Sequence, residues 1–332
     1  MKITFFSTQP YEKEFFNKYN DTFGFELEYI EAPLNSQTVN LLNDAVAVCV
    51  FVNDKIDAPI IEKLAAKNIR IIALRSAGFN NVDLAAAKAN NIKVCRVPAY
   101  SPEAVAEHAV AMILTLNRKT HKAYNRVREQ NFSLNGLIGF NLHGKTVGVI
   151  GTGNIGKAFC KIMLGFGCTV LAFDLIANKE LEAAGVQFLP LVELLKRSDI
   201  VSLHCPLNDQ TKHIVNAETI NLMKKGVMLI NTSRGGLIDT KAAIAALKLG
   251  HIGYFGIDVY EQEEHIFFRD LSETIITDDT IQRLMSFSNV LVTAHQAFFT
   301  DEALTQITVT TLRNIHELAN GNNLSLPAAL LV

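Results

Sequence analysis

The glycine-rich stretch at residues 146–156, TVGVIGTGNIG, constrains the fold of this chain more than any other feature of its sequence. Thr146–Ile150 is apolar and rich in β-branched residues, which predicts a buried strand, and Asn154–Phe166 is predicted to be a helix. A strand that passes through closely spaced glycines into a helix is typical of the phosphate-binding turn of a βαβ unit. The stretch therefore predicts a parallel sheet with a helix N-terminus at its carboxyl edge.

The three glycines of this turn have separate mechanical roles. We expect Gly151 to allow the tight turn, Gly153 to let backbone amides approach a pyrophosphate, and Gly156 to let the helix pack closely on the strand. Amides in the first turn of the helix would then face the anion. A βαβ turn that binds no ligand is the alternative explanation of the same glycines.

An acidic residue follows the second predicted strand of this unit. Asp174 lies 18 residues after Gly156, close to the ~20 residues at which this fold places a ribose-binding carboxylate. Asp174 would accept hydrogen bonds from a ribose diol and repel a 2′-phosphate. The next residues are Leu175 and Ile176, with no arginine beside them, so NAD is favoured over NADP. Asp174 could instead cap a helix.

Strands and helices alternate along the whole chain. The predicted strands are Lys2–Phe6, Glu26–Ile30, Val46–Val52, Arg70–Leu74, Lys93–Val97, Thr146–Ile150, Thr169–Phe173, Val186–Phe188, Ile200–His204, Val227–Asn231, Tyr254–Asp258 and Val290–Thr293. Helical spacing is clearest in Ala58–Lys67, Asp83–Ala89 and Asp301–Asn320. Strands separated by helices predict parallel sheets covered on both faces, which is an α/β fold with doubly wound sheets.

A helix with clear start features joins the two blocks of strands. Ser101 is predicted as its N-cap, Pro102 as its first residue, and Glu103 lies near the positive end of its dipole. Apolar residues recur three or four apart as far as Leu116, which gives the helix one apolar stripe. A helix of this length between two α/β blocks is expected to connect two domains.

Composition excludes several classes of protein. A chain of 332 residues with 49% hydrophobic and 19% charged residues is globular and long enough for two domains. The net charge of −2 gives no electrostatic reason to expect a nucleic acid or a membrane surface as partner. No apolar stretch approaches the ~18 residues that span a bilayer. The five cysteines form no CxxC pair, so we expect buried free thiols and a cytoplasmic protein.

Reactive side chains follow three later strands at their carboxyl ends, where chemistry gathers in open α/β sheets. Arg234 follows one strand, the acidic run EQEE at residues 261–264 follows the next, and His295 follows a third. Taken singly, the arginine could form a salt bridge, the acidic run could be a solvated loop, and the histidine could be structural. Together they are the groups that hydride transfer to a 2-oxo acid requires. A guanidinium binds a carboxylate bidentately, an imidazolium donates a proton, and a neighbouring carboxylate orients the imidazole.

The order of these segments resembles the D-isomer-specific 2-hydroxyacid dehydrogenases. The matching segments are GTGNIG at 151–156, Asp174, NTSRGG at 231–236, DVYEQE at 258–263 and AHQAF at 294–298, together with RSAGFNNVD at 75–83, VPAYSPEAVAEHA at 97–109 and LHCPLNDQT at 203–211. The resemblance covers essentially the whole chain and is strongest to the fermentative D-lactate dehydrogenase branch. It implies a Rossmann NAD-binding domain at residues 101–298, inserted into a flavodoxin-like substrate domain at 1–100 and 299–332.

The resemblance also assigns catalytic roles. It implies that Arg234 binds the carboxylate and carbonyl of the substrate, that His295 donates the proton, and that Glu263 pairs with the histidine. The substrate would also contact Ser76, Ala77, Gly78, Tyr100 and Phe298. The cofactor would contact Gly151, Gly153, Asn154, Ile155, Gly156, Asp174, Cys205, Pro206, Thr211, Thr232, Ser233, Arg234 and Asp258.

Two of these positions depart from the family pattern. Many relatives have a basic residue in place of Asn154, but the main chain makes that contact. Some relatives have asparagine in place of Thr211, which puts a side-chain contact to the cofactor there in doubt. No paired Cys/His or HExxH spacing predicts a metal site.

The resemblance implies NADH-dependent reduction of pyruvate to D-lactate. It also implies a homodimer or homotetramer, with the helix that begins after Ser101 in the subunit contact. Phe298 and Phe299 could wall a pocket for a methyl group, although Phe299 could equally pack against the last helix. Rival substrates are glyoxylate, hydroxypyruvate and branched 2-oxo acids. A formate dehydrogenase is disfavoured because Glu263 is present, and a non-enzymatic NAD(H) sensor on the same fold is the rival from another class.

Overall fold

The computed structural model describes all residues from Met1 to Val332 except the side chain of His265. The strands are β1 (Lys2–Phe5), β2 (Glu26–Tyr29), β3 (Ala47–Val50), β4 (Ile71–Leu74), β5 (Lys93–Cys95), β6 (Thr146–Ile150), β7 (Thr169–Phe173), β8 (Gln187–Phe188), β9 (Ile200–Leu203), β10 (Val227–Asn231), β11 (Ile252–Ile257) and β12 (Val290–Val292). The helices are α1 (Pro10–Asn20), α2 (Ala58–Ala66), α3 (Leu84–Ala89), α4 (Pro102–Arg118), α5 (Thr120–Arg128), α6 (Asn154–Gly165), α7 (Lys179–Ala183), α8 (Leu191–Arg197), α9 (Ala217–Leu222), α10 (Thr240–Lys248), α11 (Asp279–Met285) and α12 (Asp301–Ala319). Among the helices described, none is both long enough and apolar enough to cross a bilayer.

The chain divides into two compact units. The first unit comprises Met1–Ser101 and Phe299–Val332. Its sheet has the strand order β2-β1-β3-β4-β5, and every neighbouring pair is parallel. This is the flavodoxin-like order. Helix α12 begins at Asp301, where the Thr300 hydroxyl oxygen caps it by accepting the amide of Ala303, and it packs on β4 and α1 within this unit.

The second unit comprises Pro102–Phe298. Its sheet has the order β12-β11-β10-β9-β6-β7-β8 and is parallel throughout, which is the Rossmann order with one further strand. Alternate residues of β10 enter separate hydrophobic clusters, Leu229 on one side and Met228 and Ile230 on the other. Burial on both faces explains why this strand is a continuous apolar run. The predicted α/β fold class, with a Rossmann unit inserted in a flavodoxin-like one, is confirmed.

Strand ends differ from the sequence expectation by one or two residues. The strand predicted at Val46–Val52 ends at Val50, because the amide of Phe51 donates to the Asp54 carboxylate at 2.7 Å and leaves the sheet. Helix α1 is absent from the helices predicted from the sequence. Pro10 at its start and Glu12, which accepts the amide of Gln9 at 2.9 Å, nevertheless form a recognisable helix start. All five cysteines are buried and free, as expected.

Candidate active site

Three neighbouring strands of the second unit carry the predicted reactive residues. The strands β12, β11 and β10 are adjacent in the sheet, so their carboxyl ends lie side by side. His295 follows β12, Glu263 follows β11 and Arg234 follows β10. The order of strands in the sheet therefore brings to one edge residues that are up to 61 positions apart in the sequence.

Glu263 and His295 form a hydrogen-bonded pair. The Nδ1 atom of His295 lies 2.8 Å from Oε1 of Glu263, and the side chains are 20% and 22% exposed. The other carboxylate oxygen of Glu263 accepts the amide of Tyr260 at 2.8 Å, so the carboxylate is fixed on both sides. Because Nδ1 faces the carboxylate, the Nε2 atom is the ring nitrogen that remains to meet a ligand.

The backbone of His295 is held in a left-handed conformation by Asp258. The φ of His295 is +54°, which costs a non-glycine residue ~1–3 kcal/mol unless surrounding contacts impose it. The amide of His295 donates to the Asp258 carbonyl at 2.8 Å. The Asp258 carboxylate accepts the amide of Gln296 and the hydroxyl of Thr293 on one oxygen and the amide of Ala297 on the other, at 2.9, 2.6 and 2.9 Å. Asp258 therefore fixes the turn that presents the histidine.

Asp258 is anionic at this position. Burial alone would raise the pKa of its carboxyl, but hydrogen bonds from His108 and Thr293 and the charges of His295 and His108 outweigh burial and hold that pKa below its ordinary value. His108 on α4 lies 3.1 Å from the Thr293 hydroxyl and 3.5 Å from Asp258. Asp258 is predicted from the sequence as a cofactor contact, whereas His108 and Thr293 have no predicted role. A titratable residue within the apolar stripe of α4 was the available signal for His108.

Arg234 lies in a turn that is packed against the segment bearing Glu263. The Asn231 side chain clamps this turn by donating to the Arg234 carbonyl and accepting the Ser233 amide, at 2.9 and 3.0 Å. A Cβ at Gly235 would collide with the backbone of Tyr260 and Glu261, so only glycine allows this approach. Arg234 is half-buried, and its guanidinium donates to the Ser233 carbonyl at 2.7 Å.

The glycine turn between β6 and α6 has the shape that a dinucleotide needs. Gly151 has a φ of +93°, and a Cβ there would lie 2.6 Å from the amide nitrogen of Cys205. A Cβ at Gly156 would collide with the Gly151 carbonyl, so the helix approaches the turn only because this residue is glycine. Open space surrounds Gly153, and α6 begins at Asn154, so the first amides of the helix, including that of Ile155, can meet a phosphate there.

Asp174 joins the end of β7 to this turn. Its carboxylate accepts the Thr152 amide at 2.6 Å, the Thr152 hydroxyl at 2.7 Å and the Leu175 amide at 2.7 Å. Burial would raise the pKa of this carboxyl, but these bonds outweigh burial and lower it, so Asp174 is an anion. Asp174 caps the turn, and a ribose diol would share its oxygens with these donors.

Two further segments complete the carboxyl edge around the glycine turn. The hydroxyl of Thr211 donates to the Pro206 carbonyl at 2.6 Å, so it closes its own loop. Burial raises the pKa of the Cys205 thiol to about 11, which keeps it neutral. In the part of the chain that the structure describes, the buried Thr232 hydroxyl oxygen has no hydrogen-bond partner. Open space at Gly153, the helix amides, the Asp174 anion and this hydroxyl together fit a dinucleotide.

His204 is a buried histidine at this edge with no role predicted from the sequence. Its Nε2 atom lies 2.9 Å from the Ser202 hydroxyl, and its ring centroid lies 4.7 Å from that of Phe159. Burial lowers its pKa to about 3, so the ring is neutral at physiological pH. Its only signal in the sequence was its place between an apolar strand and Cys205.

The remaining predicted substrate residues divide between the two units. The loop Ser76–Gly78 follows β4 in the first unit, and the Ser76 hydroxyl donates to the Gly78 carbonyl at 2.9 Å. Tyr100 follows β5 in the first unit, whereas Phe298 ends the second. Phe299 packs edge-on against Tyr11 of α1, with ring centroids 4.7 Å apart, and is half exposed. The described residues contain no group of three or more metal-ligating side chains that could hold an ion.

Comparison with known proteins places these features in a family. The family described as D-isomer specific 2-hydroxyacid dehydrogenase, NAD binding domain, matches residues 110–297. The chain is 55% identical to "2-hydroxyacid dehydrogenase homolog 1" of Schizosaccharomyces pombe over 324 residues, which cover 97% of this chain and 98% of the relative. It is 51% identical to the D-lactate dehydrogenase of Escherichia coli over 321 residues, which cover 97% of this chain and 98% of that one.

Solved structures show the same relationship. The apo structure of the Escherichia coli D-lactate dehydrogenase matches with a TM-score of 0.92 and 48% identity over 100% of both chains. The D-lactate dehydrogenase of Aquifex aeolicus, solved in complex with NAD and lactic acid, matches with a TM-score of 0.85 and 36% identity over 96% of both chains. These similarities cover both units and include the segments that carry the glycine turn and the three reactive residues.

Proposed function

Since the chain belongs to the D-isomer-specific 2-hydroxyacid dehydrogenases and takes NAD as its cofactor, we propose that it catalyses the NADH-dependent reduction of pyruvate to D-lactate. The observation that carries the proposal is the His295–Glu263 pair, at 2.8 Å, on the same sheet edge as Arg234. The names of relatives support the substrate, because one that is 51% identical is a D-lactate dehydrogenase. Others are named only as 2-hydroxyacid dehydrogenase homologs, so the substrate needs a direct test.

The three reactive residues have separate roles in this proposal. Arg234 binds the carboxylate of pyruvate and polarises its carbonyl group. Bound NADH supplies the hydride that is added to C2. His295 donates the proton on Nε2 to the carbonyl oxygen, which completes the hydroxyl group, and Glu263 holds the ring in the orientation for this transfer. Hydride and proton together account for the two hydrogen atoms gained by the substrate.

The binding residues follow from the same proposal. The unit from Pro102 to Phe298 is the NAD-binding domain, and the other unit is the substrate domain. The cofactor is held by Gly151, Gly153, Asn154, Ile155, Gly156, Asp174, Cys205, Pro206, Thr211, Thr232, Ser233, Arg234 and Asp258. Ser76, Ala77, Gly78, Tyr100 and Phe298 contact the substrate. For Thr211, the main chain makes the contact, because its hydroxyl is already used within its loop.

A panel of 2-oxo acids tests the substrate. NADH oxidation is followed by absorbance with pyruvate, glyoxylate, hydroxypyruvate, 2-oxoisocaproate and phenylpyruvate. We expect pyruvate to give the highest kcat/KM, and chiral analysis of the product to show D-lactate. A higher kcat/KM for a larger acid would show that pyruvate is not the preferred substrate, but the proposed class of reaction would stand. Oxidation with none of them would favour the NAD(H)-sensing alternative.

We also propose that the chain forms a homo-oligomer through an apolar patch next to α4. The apolar stripe of α4 packs on α6, β10 and β11 within its own unit. Large apolar side chains are exposed directly after it, on α5 and in the segment that follows: Tyr124, Val127, Phe132, Leu134 and Ile138. Isolated exposed apolar residues are ordinary, but five of them between residues 124 and 138 are typical of an interface. Light scattering should show a dimer or tetramer, and Leu134→Asp with Ile138→Asp should give a monomer.

A further inference from the structure

The segment 328–332 extends the five-stranded sheet along its β5 edge. Leu330 bridges Cys95 in the antiparallel sense. The Val94 amide donates to the Val332 carbonyl at 3.0 Å, and the Leu331 amide donates to the Val94 carbonyl at 2.9 Å. Main-chain hydrogen bonds at this edge therefore join the two chain segments that make up the first unit.

Arg96, directly after β5, is held by this segment and by α12. Its amide donates to the Ala329 carbonyl at 2.9 Å, and its Nε atom lies 3.5 Å from the Ala328 carbonyl. Its carbonyl accepts the side-chain amide of Asn314, a residue of α12 that is 2% exposed. Both main-chain polar groups of Arg96 are paired, so its side chain projects from a fixed point.

The guanidinium of Arg96 reaches the loop that follows β4. Its Nη1 atom donates to the Ala77 carbonyl at 2.8 Å, and its Cζ atom lies over the Phe79 ring, 5.0 Å from the ring centre. The Val97 amide adds a bond to the Ser76 carbonyl at 3.1 Å. The hydrogen bond at its edge and the ring contact on its face together fix the orientation of the Arg96 guanidinium. A lysine ammonium, which is not planar, would not reproduce both contacts.

This contact fixes the direction of a backbone amide. In a trans peptide the carbonyl and the following N–H point in opposite directions, and the described chain has no cis peptide. Because the Ala77 carbonyl points to Arg96, the Gly78 N–H points away from it. The Gly78 carbonyl is bound by the Ser76 hydroxyl in the same way, so the Phe79 N–H points away from Ser76. Two carbonyls, which would repel an anion, are thus turned to side chains, and their partner amides face the other way.

We propose that Arg96 is a positioning residue for the carboxylate of the substrate. It acts through the Ala77–Gly78 peptide, whose N–H it directs to the anion, and residues 328–332 hold it in place. This inference rests on the proposed function, in which residues 76–78 contact the substrate. Loss of the guanidinium would let the loop rotate its carbonyl toward the anion, which weakens substrate binding without altering the hydride or proton donors.

Arg96→Ala and Arg96→Lys test the proposal, with Lys93→Ala as the matched control. Lys93 is an exposed cation on β5, so its loss removes one charge from the same strand. For Arg96→Ala we expect KM for the 2-oxo acid to rise about tenfold or more with kcat and the NADH dissociation constant unchanged. Arg96→Lys should raise KM by less than Arg96→Ala does, and Lys93→Ala should have the KM of the wild type. Hydrogen exchange at the amides of residues 77–79 should accelerate in Arg96→Ala.

The outcomes separate this inference from the proposed function. If the wild type reduces the 2-oxo acid and Arg96→Ala keeps its KM, the positioning role is wrong and the function stands. A parallel loss of kcat, NADH affinity and melting temperature would also overturn it, because it would show a purely structural residue. If the wild type reduces no 2-oxo acid, the proposed function fails, and the inference fails with it.

Discussion

Arg75 and Arg234 both follow the carboxyl end of a parallel strand, one in each sheet, and the contrast between them lies in how their donors are used. Arg75 is 1% exposed and donates to the carbonyls of Phe6, Ser7 and Cys49 and to both carboxylate oxygens of Glu12. Arg234 is half-buried, and among the described residues its guanidinium donates to the adjacent Ser233 carbonyl.

The difference separates an arginine that builds the fold from one that is available to a ligand. The Arg75 donors are consumed inside the first unit, where they fix the segment after β1. An arginine in a comparable strand-end position whose fork is largely unused can bind a carboxylate without breaking existing bonds. Two measurements test this contrast directly, and a third tests whether His204 is buried in its neutral form. They are given in order of expected effect.

Arg234→Gln should give the largest effect, and it should fall on activity. We expect kcat/KM for the 2-oxo acid to fall about 10³- to 10⁴-fold, because both carboxylate binding and carbonyl polarisation are lost. The melting temperature should stay within a few degrees of the wild type. Arg197→Gln, which removes an exposed cation of α8 in the same unit, is the control and should retain full activity. Near-normal turnover by Arg234→Gln would contradict the role of Arg234 in binding the substrate, which is what distinguishes it from Arg75.

Arg75→Met should affect stability instead. Removing one partner of a buried ion pair leaves the Glu12 carboxylate uncompensated, which costs ~3–5 kcal/mol of unfolding free energy. Urea unfolding measures this loss, and Arg75→Met combined with Glu12→Gln should recover part of it. A loss below ~1 kcal/mol, in the range of a surface ion pair, would show that the buried pair does not hold this unit together.

His204 gives the smallest effect, and it appears only in acid. Its folded pKa of about 3 lies below the ordinary value of ~6.5, so the unfolded chain binds a proton that the folded chain rejects. The resulting stability is complete above pH ~6.5 and is lost as the pH falls toward 3, by at most ~1.4 kcal/mol per pH unit.

The His204→Gln variant isolates that contribution. Between about pH 6.5 and 4.5, the wild type should lose ~2–3 kcal/mol more unfolding free energy than the variant. Denaturant unfolding at both pH values measures the difference. Parallel stability profiles for the two proteins would mean that His204 is protonated in the folded chain, contrary to its burial.

The sequence predicted what depends on local pattern. The glycine turn, Asp174 and the strand that leads to Arg234 could be identified because each element carries its own composition and spacing. The pairing of Glu263 with His295 was predicted only through family resemblance, since 32 residues separate them and sheet order alone brings them together.

The supporting contacts could not be predicted for the same reason. The left-handed backbone of His295 depends on Asp258, and the lowered pKa of the Asp258 carboxyl depends in part on His108 from α4, 150 residues earlier. The guanidinium donors of Arg75 are occupied in part by Glu12, which lies on α1, a helix not predicted from the sequence. Contacts of this kind follow from tertiary packing, which residue spacing within a single segment does not encode.

The segment along β5 has a consequence for the behaviour of the protein in a crowded solution. An outermost strand normally offers a row of open peptide groups on which a foreign strand can add, and such additions seed aggregates. Here Val94 uses both its amide and its carbonyl on residues of the same molecule. Substitutions that loosen residues 330–332 would therefore be expected to reduce solubility on heating before they reduce turnover.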